Sequence, residues 1–228
     1  MIKIEHTVLP SPEQMEFVIE GMRNPMNSWD KSDSHTCKQD GAFCMECEHK
    51  NDYCLGENDN SLMQKLSYAG TDHRKYMRMM PVFVRITAPL YWWKEADTYK
   101  IGTVANSCST MHKIQEKEFT LDDFSHEHLV KTNLLDIIID DLNSNRTIYN
   151  DYDNQSDEFK SKFSKKDVWW QMIQLLPESY NQTRNVMLNY EVLANMYYSR
   201  KNHKLDEWRE FCKWIETLPY SDLIIMED

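Results

Sequence analysis

Asn189, Asn195 and Arg200 place two carboxamides and one guanidinium close together near the C-terminus. A carboxamide both donates and accepts in one plane, and a guanidinium forks onto anions, so the trio suits a flat, polar, negatively charged ligand. The bland alternative is an exposed helix with its caps. A second group is Thr103, Ser107, Cys108, Ser109 and Thr110, small and mostly hydroxylated, after a Trp-rich segment. Such a loop can offer backbone N–H groups and hydroxyls to a phosphate, or be an ordinary Ser/Thr loop. It lacks the glycine spacing and terminal lysine of a P-loop. Cys108 with His112 is a thiol–imidazole pair in sequence, with no third group to orient it. A third group is Cys37, Cys44, Cys47 and Cys54, with His35 and His49 between them. Four thiolates can hold zinc tetrahedrally, and Cys44-x-x-Cys47 has knuckle spacing. A closed four-thiolate site would be structural, and the alternative is a loop of reduced cysteines.

These groups need elements to hold them. Ser11-Pro12-Glu13-Gln14 starts a helix: a Ser cap, a first-turn proline and a Gln three residues on. Met15, Val18, Ile19 and Met22 then share a face, predicting a helix over 12–23. Residues 31–58 read as a Cys-rich inserted loop. Leu62, Leu66 and Ala69 begin a further helix that stops near Gly70, and a helical segment follows over 72–79. Residues 81–87 alternate and open on proline, which predicts a strand. Pro89 starts a Trp-rich helix to about Lys100. Residues 120–128 read as loop, and 134–142 and 146–162 as acidic helices. Ser164 and Asp167 cap a helix ended by Pro177. Val186, Tyr190, Leu193 and Tyr197, at spacings of four, three and four, predict one helix over 184–200. On it Asn195 lies about 120° short of Asn189, and Arg200 turns about 140° further. Leu205, Trp208, Phe211, Cys212 and Ile215 mark the last helix. Many helices with one or two strands read as an α+β fold.

Composition narrows the partners. With 228 residues the chain suits one domain, 1–228, carrying the insertion. A chain this long buries roughly 70% of its unfolded surface and needs no disulfide staples. Lys plus Arg is 26 against 37 Asp plus Glu, a net charge of -11. That field repels phosphate backbones, so no nucleic acid is expected. The N-terminus has no apolar leader, and no apolar run approaches the ~20 residues that span a bilayer. The expectation is a cytoplasmic protein without a membrane partner, whose cysteines are thiols or metal ligands rather than disulfides.

Together these segments resemble the flavin-dependent thymidylate synthases, also called thymidylate synthase complementing proteins. The family's C-terminal block has Leu-Pro, an Asn twelve residues after the Pro, a second Asn six further on and an Arg five beyond. Leu176-Pro177, Asn189, Asn195 and Arg200 fall at those spacings without a gap. The family signature, Arg-His-Arg followed after seven residues by Ser, lies downstream of an Ala-Pro. Ala88-Pro89 is present, but the signature reads Thr98-Tyr99-Lys100 and the Ser position is Cys108. Glu95 stands at a family Gln, and Thr110, Ile173 and Glu191 at family Arg positions. Asp72-His73 resembles the family's Glu-His, six residues too far upstream.

The resemblance covers most of the chain apart from the insertion. It implies helices packed on a small mixed or antiparallel sheet, a homotetramer, and FAD bound between subunits. It also implies reductive methylation of dUMP to dTMP, with methylenetetrahydrofolate as carbon donor and NADPH as reductant. The site residues it implies are Asn189, Asn195, His73 and Lys100 at the cofactor, and Arg200, Ser107, Cys108, Ser109 and Glu95 at the substrate. No protein nucleophile is implied. Lost arginines weaken an anion site, and Glu191 and Glu95 repel an anion unless protonated or moved. Lys100, Arg184, Lys201 and Lys204 can return some positive charge. Two alternatives stand beside this reading: a divergent member acting on another pyrimidine nucleotide, and a non-catalytic nucleotide- or flavin-binding protein.

The cysteine cluster makes its own prediction. Elemental analysis of purified protein should find about one zinc per chain through the four thiolates, and Cys44→Ser should lower that content sharply.

Overall fold

The computed structural model describes residues 1–37 and 53–225. In chain order the elements begin with β1 (Lys3–Val8) and α1 (Pro12–Arg23). The short strands β2 (His35–Thr36) and β3 (Tyr53–Cys54) pair antiparallel, with His35 opposite Cys54. Next come α2 (Glu57–Tyr68), a 3-10 helix at Lys75–Met79, β4 (Pro81–Pro89), α3 (Leu90–Ala96), β5 (Val104–Ser107) and α4 (Thr110–Lys113). The chain continues with α5 (Asn133–Asn150), α6 (Asp157–Lys162), α7 (Lys165–Leu175), β6 (Asn181–Asn189), α8 (Tyr190–Arg200) and α9 (Asp206–Glu216). Helices with a small four-stranded sheet, ordered β1-β4-β6-β5, make this the expected α+β fold.

Local chemistry explains most boundaries. Ser11 and Gln14 close a reciprocal capping box at α1, and Ser164 and Asp167 do the same at α7. Val82, Val84, Ile86 and Ala88 are buried at every second position, the signature of β4. Several expectations fail. More strands form than the one or two expected. Residues 72–73 are turn, with 3-10 helix only from Lys75. The helix expected over 184–200 is instead a strand and then a helix, joined at Asn189. Gln182, Val186 and Leu188 are buried with the period of a strand. The apparent helical stripe arose because Val186 belongs to one element and Tyr190 to the next. The Trp-rich helix also stops at Ala96; the segment at 134–142 runs on to Asn150 in one long α5, and the helix expected over 146–162 is split between the end of α5 and the separate α6.

The chain divides into two compact units: Met1–Lys3, Ile86–Thr98 and Asn106–Arg184 form one; Ile4–Arg85, Tyr99–Ala105 and Asn185–Asp228 form the other. β4 and β6 each run from one unit into the other. In the first unit α5 packs on α7 around Ile114, Phe119, Phe124, Leu135, Ile139, Leu142 and Met172. Ile173 joins this cluster as a partly buried packing residue. In the second unit α8 packs against α9 and the 3-10 turn. Trp208, Phe211 and Ile215 of α9 are fully enclosed, each such side chain contributing about 1.5–3 kcal/mol.

The insertion is tied down at its base by a buried ion pair. Arg23 Nε on α1 donates to Asp59 Oδ1 on α2 at 2.6 Å, and both side chains are buried. Asp59 Oδ2 also accepts from Ser32 Oγ at 2.7 Å and from the backbone N–H groups of Asp33 and Ser34. Asp33 in turn caps α2, accepting from the N–H groups of Asn58 and Asp59. Gly56 is required here, since a Cβ would lie 2.2 Å from the Asp33 carboxylate.

Burial raises the Asp59 carboxyl, but hydrogen bonds from Ser34, Ser32 and Arg23, with the Arg23 charge, outweigh it and hold the carboxyl below its usual range. A depressed carboxyl stabilises the fold above the unfolded value of about 3.9 and loses that contribution as pH falls through the folded value. Asp59→Ala should cost about 3–5 kcal/mol in urea unfolding, because it strands Arg23 in the interior. The variant should also show less loss of stability than the parent between about pH 4 and pH 2.

Candidate functional site

The second unit holds Asn189, Asn195, Arg200, His73 and Lys100. Asn189 ends β6 and caps α8: its Oδ1 accepts from Val192 N–H at 3.0 Å. Its Nδ2 donates to the Gly102 carbonyl at 3.5 Å. Gly102 sits at φ +79, and a Cβ there would lie 2.8 Å from Asn189 Nδ2. Both the left-handed backbone and the close approach therefore demand glycine. One buried carboxamide thus starts the helix and seats the 99–105 segment beside it.

That segment carries Tyr99, which organises Arg200. The Arg200 guanidinium lies 4.8 Å from the Trp208 ring and 5.6 Å from the Tyr99 ring, and its Nε donates to Tyr99 Oη at 3.0 Å. The half-buried cation is held by aromatic faces. Tyr99 and Trp208 were missed as site residues. Tyr99 stood in the altered signature, but nothing in its spacing linked it to Arg200.

Asn195 is exposed on α8, and its Oδ1 accepts from Arg74 Nη2 at 3.2 Å. Glu191 is buried and accepts from Arg78 through both carboxylate oxygens, with Arg78 Nη2 at 3.2 Å. Arg74 Nε lies 3.6 Å from Glu191 Oε1. The expectation that Glu191 repels an anion is therefore corrected: two guanidiniums neutralise it, and the triad carries a net positive charge. His73 is an exposed turn residue whose N–H donates to the Gly70 carbonyl at 3.0 Å, and Lys100 is exposed. Lys201 lies over the rings of Tyr197 and Tyr198.

The first unit holds Glu95, Ser107, Cys108 and Ser109. Glu95 is half-buried in the last turn of α3. Ser107, Cys108 and Ser109 are exposed. Cys108 is fixed through its backbone: its N–H donates to the Thr183 carbonyl at 2.9 Å, and its carbonyl accepts from Gln182 Nε2 at 3.0 Å. Ser109 Oγ accepts from His112 N–H at 3.2 Å as the cap of α4. Arg184 is committed within this unit, stacked 4.2 Å from Trp93 and paired with Asp97 at 2.8 Å. It is therefore already engaged, against the expectation that it returns charge to a ligand site.

Of the proposed metal ligands, Cys44 and Cys47 lie outside the described residues. Cys37 follows β2 and Cys54 lies in β3, both half-buried. Among the described residues no group of three or more His, Cys, Asp and Glu side chains is placed to hold a metal ion. Nor, among these residues, is any helix long and apolar enough to cross a membrane.

No family model matches the sequence, and no curated protein matches it. Solved structures do match the fold. A crystal structure of thymidylate synthase X from Helicobacter pylori with FAD and dUMP has a TM-score of 0.63 at 15% identity, covering 100% of this chain and 97% of that one. A second structure of the flavin-dependent thymidylate synthase from Helicobacter pylori, complexed with FAD and dUMP, has a TM-score of 0.61 at 16% identity, covering 100% of this chain and 98% of the other. The chain therefore has the thymidylate synthase X fold along its whole length.

Removing Glu191 should expose how much the triad matters. Glu191→Leu leaves Arg74 buried beside an apolar group and should cost about 2–4 kcal/mol in chemical denaturation. Glu191→Gln should cost less, since the amide oxygen still accepts from Arg78.

Proposed function

We propose that this chain is a flavin-dependent enzyme acting on a pyrimidine nucleotide, with reductive methylation of dUMP to dTMP as the reaction. The observation that carries the proposal is Arg200, a guanidinium held at the end of α8 between Tyr99 and Trp208, on the helix that also bears Asn195 and is capped by Asn189. Its support is the run of spacings from Leu176-Pro177 to Arg200 together with the full-length fold likeness to a thymidylate synthase whose structure holds FAD and dUMP.

The donor set fits a flavin. Asn195 offers an amide at the surface of α8, beside the buried Arg74–Glu191 pair and the exposed Arg78, a cluster with net positive charge. An isoalloxazine presents carbonyl acceptors and, when reduced, an anionic edge. His73 and Lys100 are proposed beside it. Arg200 would grip the nucleotide phosphate in the second unit. In the first unit Ser107, Cys108, Ser109 and Glu95 are proposed as substrate-binding residues, with hydroxyl, thiol, carboxylate and backbone groups to offer. Bound FAD would supply the redox step, with methylenetetrahydrofolate as carbon donor and NADPH as reductant. The chain's own work is orientation and charge: Asn189 fixes the 99–105 segment, and the Arg74–Arg78–Glu191 cluster supplies positive field. A homotetramer belongs to the same proposal, as does structural zinc in the insertion.

A second reading, action on a different pyrimidine nucleotide, is favoured by Tyr99. It occupies the centre of the altered signature and takes the Arg200 Nε, leaving that guanidinium a different set of donors.

Absorbance titration should show FAD uptake by the purified protein, and labelled dUMP should release tritium in the presence of the folate and reductant. Uptake of FAD with release only from another pyrimidine nucleotide would select the second reading, and no FAD uptake would remove both. Arg200→Ala should weaken nucleotide binding by about 10- to 100-fold, the worth of a charge-assisted contact, while leaving FAD affinity unchanged.

A further inference from the structure

Asn195 is exposed, yet its carboxamide is held in one orientation. The group that faces its Oδ1 is Arg74 Nη2, at 3.2 Å. A guanidinium has donors and no acceptor, so the amide atom it meets must be the oxygen. The NH2 group then points away from Arg74, and turning the amide over would set N–H against N–H. Arg74 is itself locked, with 8% of its surface exposed and its Nε 3.6 Å from the buried Glu191 carboxylate. Glu191 sits in the first turn of α8, one turn before Asn195, and also grips Arg78. The order of constraint runs outward: a buried carboxylate holds a buried guanidinium, and that guanidinium orients an exposed amide.

We infer that Arg74 is a positioning residue that turns Asn195 into a pure hydrogen-bond donor, so that the site selects a ring carbonyl or another acceptor on its ligand. What binds there rests on the flavin reading above; the Arg74–Asn195 contact does not. The inference explains why a cation is kept in the interior.

Two measurements test this. The first needs no ligand. Asn195→Asp places a carboxylate against Arg74, and a carbon-detected NMR titration should find its pKa at least about one unit below the ordinary ~3.9. Adding Arg74→Met, which keeps length and removes charge, should return it to the ordinary range. A carboxyl that titrates normally beside an intact Arg74 overturns the inference. The second reads binding by FAD titration in a double-mutant cycle. Arg74→Met should weaken FAD about tenfold in the parent, but by less than about twofold in an Asn195→Ala background, where there is no amide left to orient. Equal weakening in both backgrounds overturns the positioning role, since Arg74 would then act without Asn195. Should the parent take up no FAD, the flavin reading fails while the carboxyl titration still decides the contact.

Discussion

The Asn189 carboxamide is the constraint on which this end of the molecule depends. Its oxygen satisfies an N–H that would otherwise be unpaired in the first turn of α8, and its nitrogen reaches the Gly102 carbonyl. One side chain therefore decides where the strand stops, where the helix begins and where the Tyr99 segment lies. Arg200 inherits its position from both, since its backbone ends α8 and its Nε bonds to Tyr99. Removing the cap would release two elements at once.

Charge in the second unit follows a similar economy of means. The chain is strongly acidic, yet around α8 a buried glutamate is surrounded by guanidiniums rather than exposed to a ligand. The arginines come from the turn at 74–78, far away in sequence. The positive charge beside Glu191 is thus supplied by another element rather than by the helix itself. The cost is a partly unsatisfied interior: Arg74 Nε is buried without a hydrogen bond, its glutamate being shared with Arg78.

Local signals were legible where the physics is local. The capping boxes at Ser11 and Ser164 involve residues three apart, and the alternation in β4 is read from one segment. The strand-to-helix change at Asn189 was hidden because Val186 of β6 stands four residues before Tyr190 and so continues the spacing of α8 back across the junction. The spacing of Asn189, Asn195 and Arg200 was visible, but their partners were not. Arg74, Tyr99 and Trp208 come from three other segments, and pairings of that kind are tertiary facts. Ile173 shows the same limit, a position compared with an arginine that the fold uses for packing.

The short β2–β3 ladder brings Thr36 and Tyr53 side by side. Once the two ends of an excursion are clamped together, its contour length scarcely affects anything outside it, because closure entropy grows only logarithmically with chain length. Descendants of this sequence can therefore lengthen, shorten or replace the stretch between those strands while the helix junction, the aromatic clasp and the paired guanidiniums keep their geometry.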